Sequence, residues 1–359
     1  MPLRSTRSAT LQIDLDALAR NYARLRAAAA PAECTAVVKA DAYGLGVAPV
    51  ARRLLREGCT RFFVATAAEA GELRAVAPGV DIYVLEGARA GQLDTLAAAR
   101  ATPVLCSLEQ VEHWAGRGRA LLQIDTGMAR LGLSSREVDE LARRPGLLAG
   151  IEVELVVTHL ACADEPDHPL NCEQLETFDR LRRRLPNARV SIGNSAGTMN
   201  GGAQRGDVVR PGIGLYGGNP FTERPNPFEP VVTLSAPIVQ IRDIDTAQTV
   251  GYGATFGVAP PARLAIVALG YADGYPRALG NRGVVAIAGH RAPVVGRVSM
   301  DLLCCDVTAL PPDVVRVGAF VEALGPNVLI DDVAAAAGTI GYEILTGLNP
   351  RLQREYRGE

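Results

Sequence analysis

Eight short runs rich in Val, Ile and Leu, separated by helical patterns, constrain this fold more than any other feature. They are Thr35–Lys39, Arg61–Ala65, Ile82–Glu86, Thr102–Cys106, Ala120–Asp125, Val153–His159, Arg189–Asn194 and Asp207–Arg210. Helical stretches fill most gaps, among them Val47–Glu57, Thr66–Val76, Ser134–Arg144 and Cys172–Leu185, and a further helix, Asp14–Ala30, precedes the first strand. Strands joined by crossover helices run parallel and lie buried. Eight of them is the number that closes a (β/α)8 barrel. An open doubly wound sheet is the competing architecture, but no GxGxxG follows the first strand.

The pattern changes near Asn219–Pro230, where four prolines fall among polar residues. A domain boundary there divides the chain into a barrel over residues 1–228 and a mostly β domain over 229–359. The second domain is expected to be largely antiparallel, with strands at Val231–Ile241, Leu264–Leu269, Gly283–Ala288, Pro293–Val298, Leu302–Val307 and Val317–Ala323. It is expected to end in one helix near Asp331–Ala337.

Composition removes several function classes. A net charge of −2 gives no electrostatic case for nucleic acid or a membrane surface. No apolar run spans a bilayer, and Met1–Ser8 lacks the apolar stretch of a signal peptide, so a soluble cytoplasmic protein is expected. The seven cysteines are irregularly spaced without a CxxC pair, which argues against a disulfide framework or a zinc site. His159 and His168 flank Asp164, Glu165 and Asp167, but a polar loop explains them as well as a metal would, and no metal is expected.

In a closed barrel, chemistry gathers at the C-terminal ends of the strands. Those ends carry Lys39, Asp125, His159, Asn194-Ser195 and Arg210. Each has a bland alternative: a solvated strand end, a core histidine, a helix cap, or a salt bridge from Arg210 to Asp207. Together they describe one cavity with a nucleophilic amine, two cations and hydroxyl donors. A lysine withdrawn from water loses basicity, and its free amine can condense with a carbonyl.

At these residues the chain resembles the alanine racemase family. Residues 37–46 (VVKADAYGLG) match its pyridoxal-phosphate attachment signature, and seven further motifs follow in the same order. These are 125–132 (DTGMARLG), 158–164 (THLACAD), 194–196 (NSA), 209–217 (VRPGIGLYG), 251–256 (GYGATF), 270–274 (GYADG) and 295–301 (VGRVSMD). The resemblance implies a fold-type III pyridoxal 5'-phosphate enzyme, barrel followed by β domain, that interconverts L- and D-alanine for peptidoglycan synthesis. It implies that Lys39 carries the cofactor and is the base for the D-enantiomer, while Tyr252 serves the L-enantiomer from the opposite face. Arg210 would face the pyridine nitrogen, where a permanent cation favours racemisation over transamination. Tyr43, Ser195 and the amides of Gly212 and Ile213 would hold the phosphate, with His159 beside the cofactor. Arg130 would contact the cofactor's phenolic oxygen or the substrate carboxylate, and the Met300 amide would meet that carboxylate with Asp301 beside it. Tyr271, Asp164, Arg277 and Arg297 would line the access corridor.

The family builds its site from two subunits, so a homodimer sharing Tyr252 and Met300 across the interface is expected. Two positions depart from the family pattern. Gln123 replaces an often-modified lysine and is expected to orient Arg130 as a neutral amide. Pro350 stands where some relatives place a gate tyrosine. Three alternatives remain. A racemase acting on serine, lysine or a broad range of amino acids is the nearest. A decarboxylase on the same barrel is opposed by Arg210, and a non-catalytic cofactor carrier by the second domain.

Overall fold

A computed structural model describes residues 9–359. Met1–Ser8, weighed above as a signal peptide, lies outside the described residues. The chain forms two compact units, one built from 19–215 and 219–227, the other from the described residues up to Leu18 together with 216–218 and 228–359. No helix among the described residues is long and apolar enough to cross a membrane.

The first unit is a parallel sheet in the order Glu33–Cys34, Val208–Val209, Arg189–Ser191, Ile151–Val157, Gly118–Gln123, Thr102–Leu105, Asp81–Val84, Arg61–Val64 and Ala36–Val37. The first and last of these are two halves of one strand. Thr35 separates them, and both its amide and its hydroxyl donate to the Val209 carbonyl. One half pairs with Val208–Val209 and the other with Arg61–Val64, so the sheet closes on itself as an eight-stranded barrel. Phe62, Phe63, Val64, Tyr83, Val84, Leu121 and Leu122 are fully buried, as strands covered on both faces require. Truncating Phe62 to alanine there would cost about 3–5 kcal/mol. Two of the surrounding helices start with reciprocal capping boxes, Thr66 with Glu69 and Ser134 with Glu137.

The strands stop earlier than the sequence suggests. Val157, Ser191 and Val209 are the last residues of their strands, so His159, Asn194 and Arg210 lie in the loops that follow. Lys39 likewise follows the strand Ala36–Val37 and opens a short turn. Apolar residues persist into these loops because the barrel mouth is itself buried, which is why hydrophobicity alone overruns the strand ends.

The opposite end of the barrel carries a charge lattice. Arg61 reaches Glu33 at 3.1 Å and Asp81 and Glu154 at 3.5 Å, while Arg119 pairs with Asp81 at 2.8 Å and Glu154 at 3.5 Å. The buried Tyr83 hydroxyl donates to Glu154 at 2.6 Å. Removing one cation leaves poorly solvated carboxylates facing each other. Arg61→Met is therefore expected to lower the unfolding free energy by about 1–3 kcal/mol, read from the urea midpoint. An unchanged midpoint would contradict that role.

The second unit is an eight-stranded, mostly antiparallel sheet. Its long strand Val232–Ile244 pairs with Phe320–Leu324 along its first half and with Ala262–Val267 along its second, which curls the sheet. Two features depart from expectation. Thr10–Asp14 is a strand, antiparallel to Val232–Ile244 and parallel to Gln353–Arg357. The chain also does not end in the helix Ile330–Ala337, because Gly341–Thr346 is a second helix and the strand Gln353–Arg357 follows it.

Candidate active site

Lys39 is the only lysine in the chain, and the other 36 basic residues are arginines. An arginine guanidinium cannot lose its proton or condense with a carbonyl, so Lys39 carries the one side chain able to offer a free ε-amine. Reading Lys39 by its strand-end position alone misses this compositional signal.

After Lys39 the backbone turns left-handed for four consecutive residues, Ala40, Asp41, Ala42 and Tyr43, at φ 53°, 53°, 54° and 58°. Side chains with a Cβ rarely adopt this conformation, so the turn must be held by its surroundings. Ala42 N donates to Val38 O, Gly44 N to Ala40 O, and Val47 N to the Asp41 carboxylate at 2.7 Å. Glu69 accepts from Ala40 N at 2.9 Å. The Lys39 amine is pushed below the usual lysine range, by burial first and by Arg130 second, with Glu69 opposing.

Four charged or titratable groups share this barrel mouth. Burial, then Arg210, Arg130 and Lys39, push the His159 imidazole down to about 3. Arg210 is buried and donates to Ser191 Oγ at 2.5 Å and to the Thr158 carbonyl at 2.7 Å. The alternative salt bridge to Asp207 does not form, because that carboxylate accepts from Val190 N at 2.8 Å instead. Among the described residues no carboxylate neutralises Arg210, and burial lowers its pKa to about 10, leaving it a cation at neutral pH.

The hydroxyl-bearing corner is equally defined. Ser195 Oγ accepts from Gly212 N at 3.0 Å and Gly214 N at 3.2 Å, which leaves its own O–H proton for another acceptor. The Gly212 amide, expected to meet a phosphate, is thus directed at the Ser195 hydroxyl in the same corner. Among the described residues no acceptor takes the Ile213 amide. A Cβ on Gly212 would stand 2.2 Å from the Tyr43 hydroxyl, so glycine is what lets the two approach. Ser195 is also not the helix cap. Asn194 is, accepting from Gly197 N at 2.9 Å.

Arg130 is exposed on a loop folded around the Asp125 carboxylate, which accepts from the amides of Gly127, Met128 and Ala129 at 3.0–3.2 Å. Gln123 does not orient the Arg130 guanidinium as expected, since its amide donates to the Leu131 carbonyl at 2.7 Å. His168 caps the helix Pro169–Arg182 through Nδ1 rather than joining a ligand set. Sequence reasoning missed Gln174, which is fully buried. It donates to Thr126 Oγ1 and the His159 carbonyl, both at 3.1 Å, and accepts from Ala161 N at 2.8 Å. It thereby fixes the His159 and Arg130 loops together, and no local motif announces it.

In the β unit, Tyr252 lies on the turn Tyr252–Ala254 and is 72% exposed. The Arg297 guanidinium covers this turn, since a Cβ on Gly253 would meet it at 2.8 Å. Tyr271 N donates to Ser299 O and Ala272 N to Met300 O, both at 3.0 Å, which joins the Tyr271 and Met300 turns. Arg351 ties them further, binding the buried Asp273 at 2.6 Å and Asp301 at 2.8 Å. Tyr271 and Met300 are 42% and 54% exposed. Arg277 is exposed on the turn Arg277–Leu279, and Asp164 lies in the barrel unit, where its carbonyl accepts from Thr222 N.

His159 sets a pH dependence. It stays neutral in the folded chain down to about 3 but takes a proton near 6.5 when unfolded. Between those values the unfolded state binds more protons, so stability falls as pH drops from 6.5 toward 3. His159→Gln is expected to lose less stability between pH 7 and pH 5 than the parent, by urea titration of the cofactor-free protein. Equal losses would refute this assignment.

Known proteins supply the comparison. Residues 13–220 match the family model "Alanine racemase, N-terminal domain" and residues 231–356 match "Alanine racemase, C-terminal domain". A catabolic alanine racemase of Agrobacterium fabrum is 45% identical over 97% of this chain and 92% of its own. An alanine racemase of Rhodospirillum rubrum is 46% identical over 98% of this chain and 96% of its own. The crystal structure of a Bartonella henselae alanine racemase with covalently bound pyridoxal phosphate superposes with a TM-score of 0.93 at 39% identity, covering 98% of this chain and 99% of that one. The biosynthetic alanine racemase of Pseudomonas aeruginosa gives 0.92 at 36%, with the same coverage. The chain belongs to the alanine racemase family.

Proposed function

We propose that this protein interconverts L- and D-alanine, using pyridoxal 5'-phosphate carried on Lys39. The observation that carries the reading is the chain's only amine side chain, its basicity lowered, sharing a barrel mouth with His159, Arg130 and the unneutralised Arg210. The residues fit the cofactor. The Ser195 hydroxyl, the Ile213 amide and the Tyr43 hydroxyl beside Gly212 offer donors for a phosphate.

When bound, pyridoxal phosphate withdraws electrons from the substrate's α-carbon and makes its hydrogen acidic. Lys39 takes or returns that proton on one face, as a free amine of lowered basicity can at neutral pH. A lone base tends to return the proton to the side it came from, so inversion needs a second carrier opposite, and Tyr252 is that carrier. Arg210, held by Ser191 and Thr158, presents a charge that no proton loss removes at neutral pH. Arg130 and the Met300 amide orient the substrate carboxylate, with Asp301, paired to Arg351, beside them, and Tyr271 with Asp164, Arg277 and Arg297 narrows its approach.

The working unit is a homodimer, with residues 1–228 supplying the cofactor side and 229–359 of the partner subunit supplying Tyr252 and Met300. The exposure of Tyr252, Tyr271, Met300 and Leu302 on the single chain supports this, since large apolar groups clustered on one surface mark an interface. The reaction takes place in the cytoplasm and supplies D-alanine to peptidoglycan synthesis. A wider substrate range is favoured by one observation, the exposed Pro350 at the expected position of a gate tyrosine.

The test is a visible absorbance scan for the lysine-bound cofactor, followed by polarimetric assays with alanine, serine and lysine. Alanine is expected to give the highest kcat/KM. A protein without the visible band, or one faster on serine or lysine, would overturn the assignment.

A further inference from the structure

We propose that Glu69 is a positioning residue for Lys39, acting by holding the left-handed turn Ala40–Tyr43 through the Ala40 amide. This rests on the reading of Lys39 as the cofactor-bearing amine and extends it to a residue outside the barrel mouth's motifs.

Four non-glycine residues in succession at φ near 55° is a conformation that L-residues avoid, so something outside the turn must hold it. The later amides of the turn bond within it, Ala42 N to Val38 O and Gly44 N to Ala40 O. The Ala40 amide, directly after Lys39, turns to a side chain 29 residues away, Glu69 Oε1 at 2.9 Å. Oε2 of the same carboxylate accepts from Ala65 N at 2.7 Å and Thr66 N at 3.3 Å. One carboxylate therefore fastens the turn to the end of the neighbouring strand Arg61–Val64 and the start of the helix Ala67–Val76.

An ordinary helix cap does not explain this. A capping box needs only the Glu69 contact with Thr66 N and the return bond from Glu69 N to Thr66 Oγ1 at 3.2 Å. The Ala40 contact is additional, and it falls on the peptide that joins Lys39 to the strained segment. Glu69 is also the anion whose field reaches the Lys39 amine, where it opposes the lowering by burial and Arg130. Releasing Ala40 would let the turn relax and displace the amine, and a displacement of about 1 Å at a reacting group costs up to about 100-fold.

The experiment compares Glu69→Asp, Glu69→Ala and Thr66→Ala in the full-length protein. Glu69→Asp keeps the charge at the helix start but is one methylene too short to reach both Thr66 and Ala40. Thr66→Ala removes the cap and leaves the Ala40 contact. Cofactor-free protein is mixed with pyridoxal 5'-phosphate, and the growth of the visible band is followed with melting temperature, kcat and KM for alanine. Glu69→Asp and Glu69→Ala are expected to capture cofactor at least ~10-fold more slowly and to lose kcat more than KM. Thr66→Ala is expected to melt lower while capturing within ~2-fold of the parent rate. Should Glu69→Ala not fold, Glu69→Asp carries the result alone. Parent-like capture in Glu69→Asp, or equal slowing in Thr66→Ala, overturns the inference. Lys39→Ala in the same assay keeps the two claims apart: a visible band surviving there would instead overturn the reading of Lys39.

Discussion

Lys39→Ala is expected to lower alanine racemisation by about 10⁴-fold or more and to abolish the visible band of the bound cofactor. In the proposed mechanism two functions disappear at once, the attachment point and the base on one face of the α-carbon. No other side chain can substitute, because the chain has no second lysine. Lys39→Arg sharpens the test. It restores the charge and most of the volume but not a free amine, and should be as inactive as alanine. The mouth of the barrel should otherwise stay intact, since Arg210 is held by Ser191 and Thr158 and the His159 loop by Gln174. Recovery of more than about a tenth of the activity in Lys39→Arg would show that charge rather than amine chemistry is what position 39 supplies.

Tyr252→Phe should lower racemisation by about 10²–10⁴-fold while leaving the visible band in place. The two enantiomers are equal in energy, so their equilibrium constant is one and kcat/KM must fall by the same factor in both directions. Rates alone therefore cannot say which face has lost its base. Solvent exchange can. With Lys39 intact, D-alanine in deuterated water should still trade its α-hydrogen for deuterium without inverting, because the amine removes and returns a proton on its own face. L-alanine should exchange far more slowly, since its hydrogen points to the face where the phenol is gone. Equal exchange of both enantiomers in Tyr252→Phe would remove the assignment of one base to each face.

Much of this was readable in the sequence, and what was not has identifiable causes. Buried parallel strands announce themselves as Val-rich runs, which located all eight barrel strands. The same signal overran their ends, because apolar residues continue into a mouth that is also buried. Thr10–Asp14 shows a short alternation, with Leu11 and Ile13 fully buried between half-exposed neighbours, but five residues beside a strong helix pattern are easily absorbed into it. The residues proposed to bear chemistry stood out by type and position. Those that hold them did not: Glu69 reaches across 29 residues, Gln174 across 48 and Arg351 across 78, and no local pattern encodes such contacts. Glu69 could be read only as the third residue after a helix cap. The solitary lysine needed no structure either, yet a reading of Lys39 by its strand-end position passes over it.

The direct test of two proton carriers meeting from different subunits is complementation. Lys39→Ala and Tyr252→Phe chains, each nearly inactive alone, are given different affinity tags, co-refolded, and the mixed dimer is purified. One of its two sites then combines a native Lys39 with a native Tyr252 from the other chain, while the second site lacks both. The mixed dimer should regain about half the activity of the native dimer. A mixed dimer no more active than its parents would mean that the amine and the phenol do not serve one α-carbon across the interface.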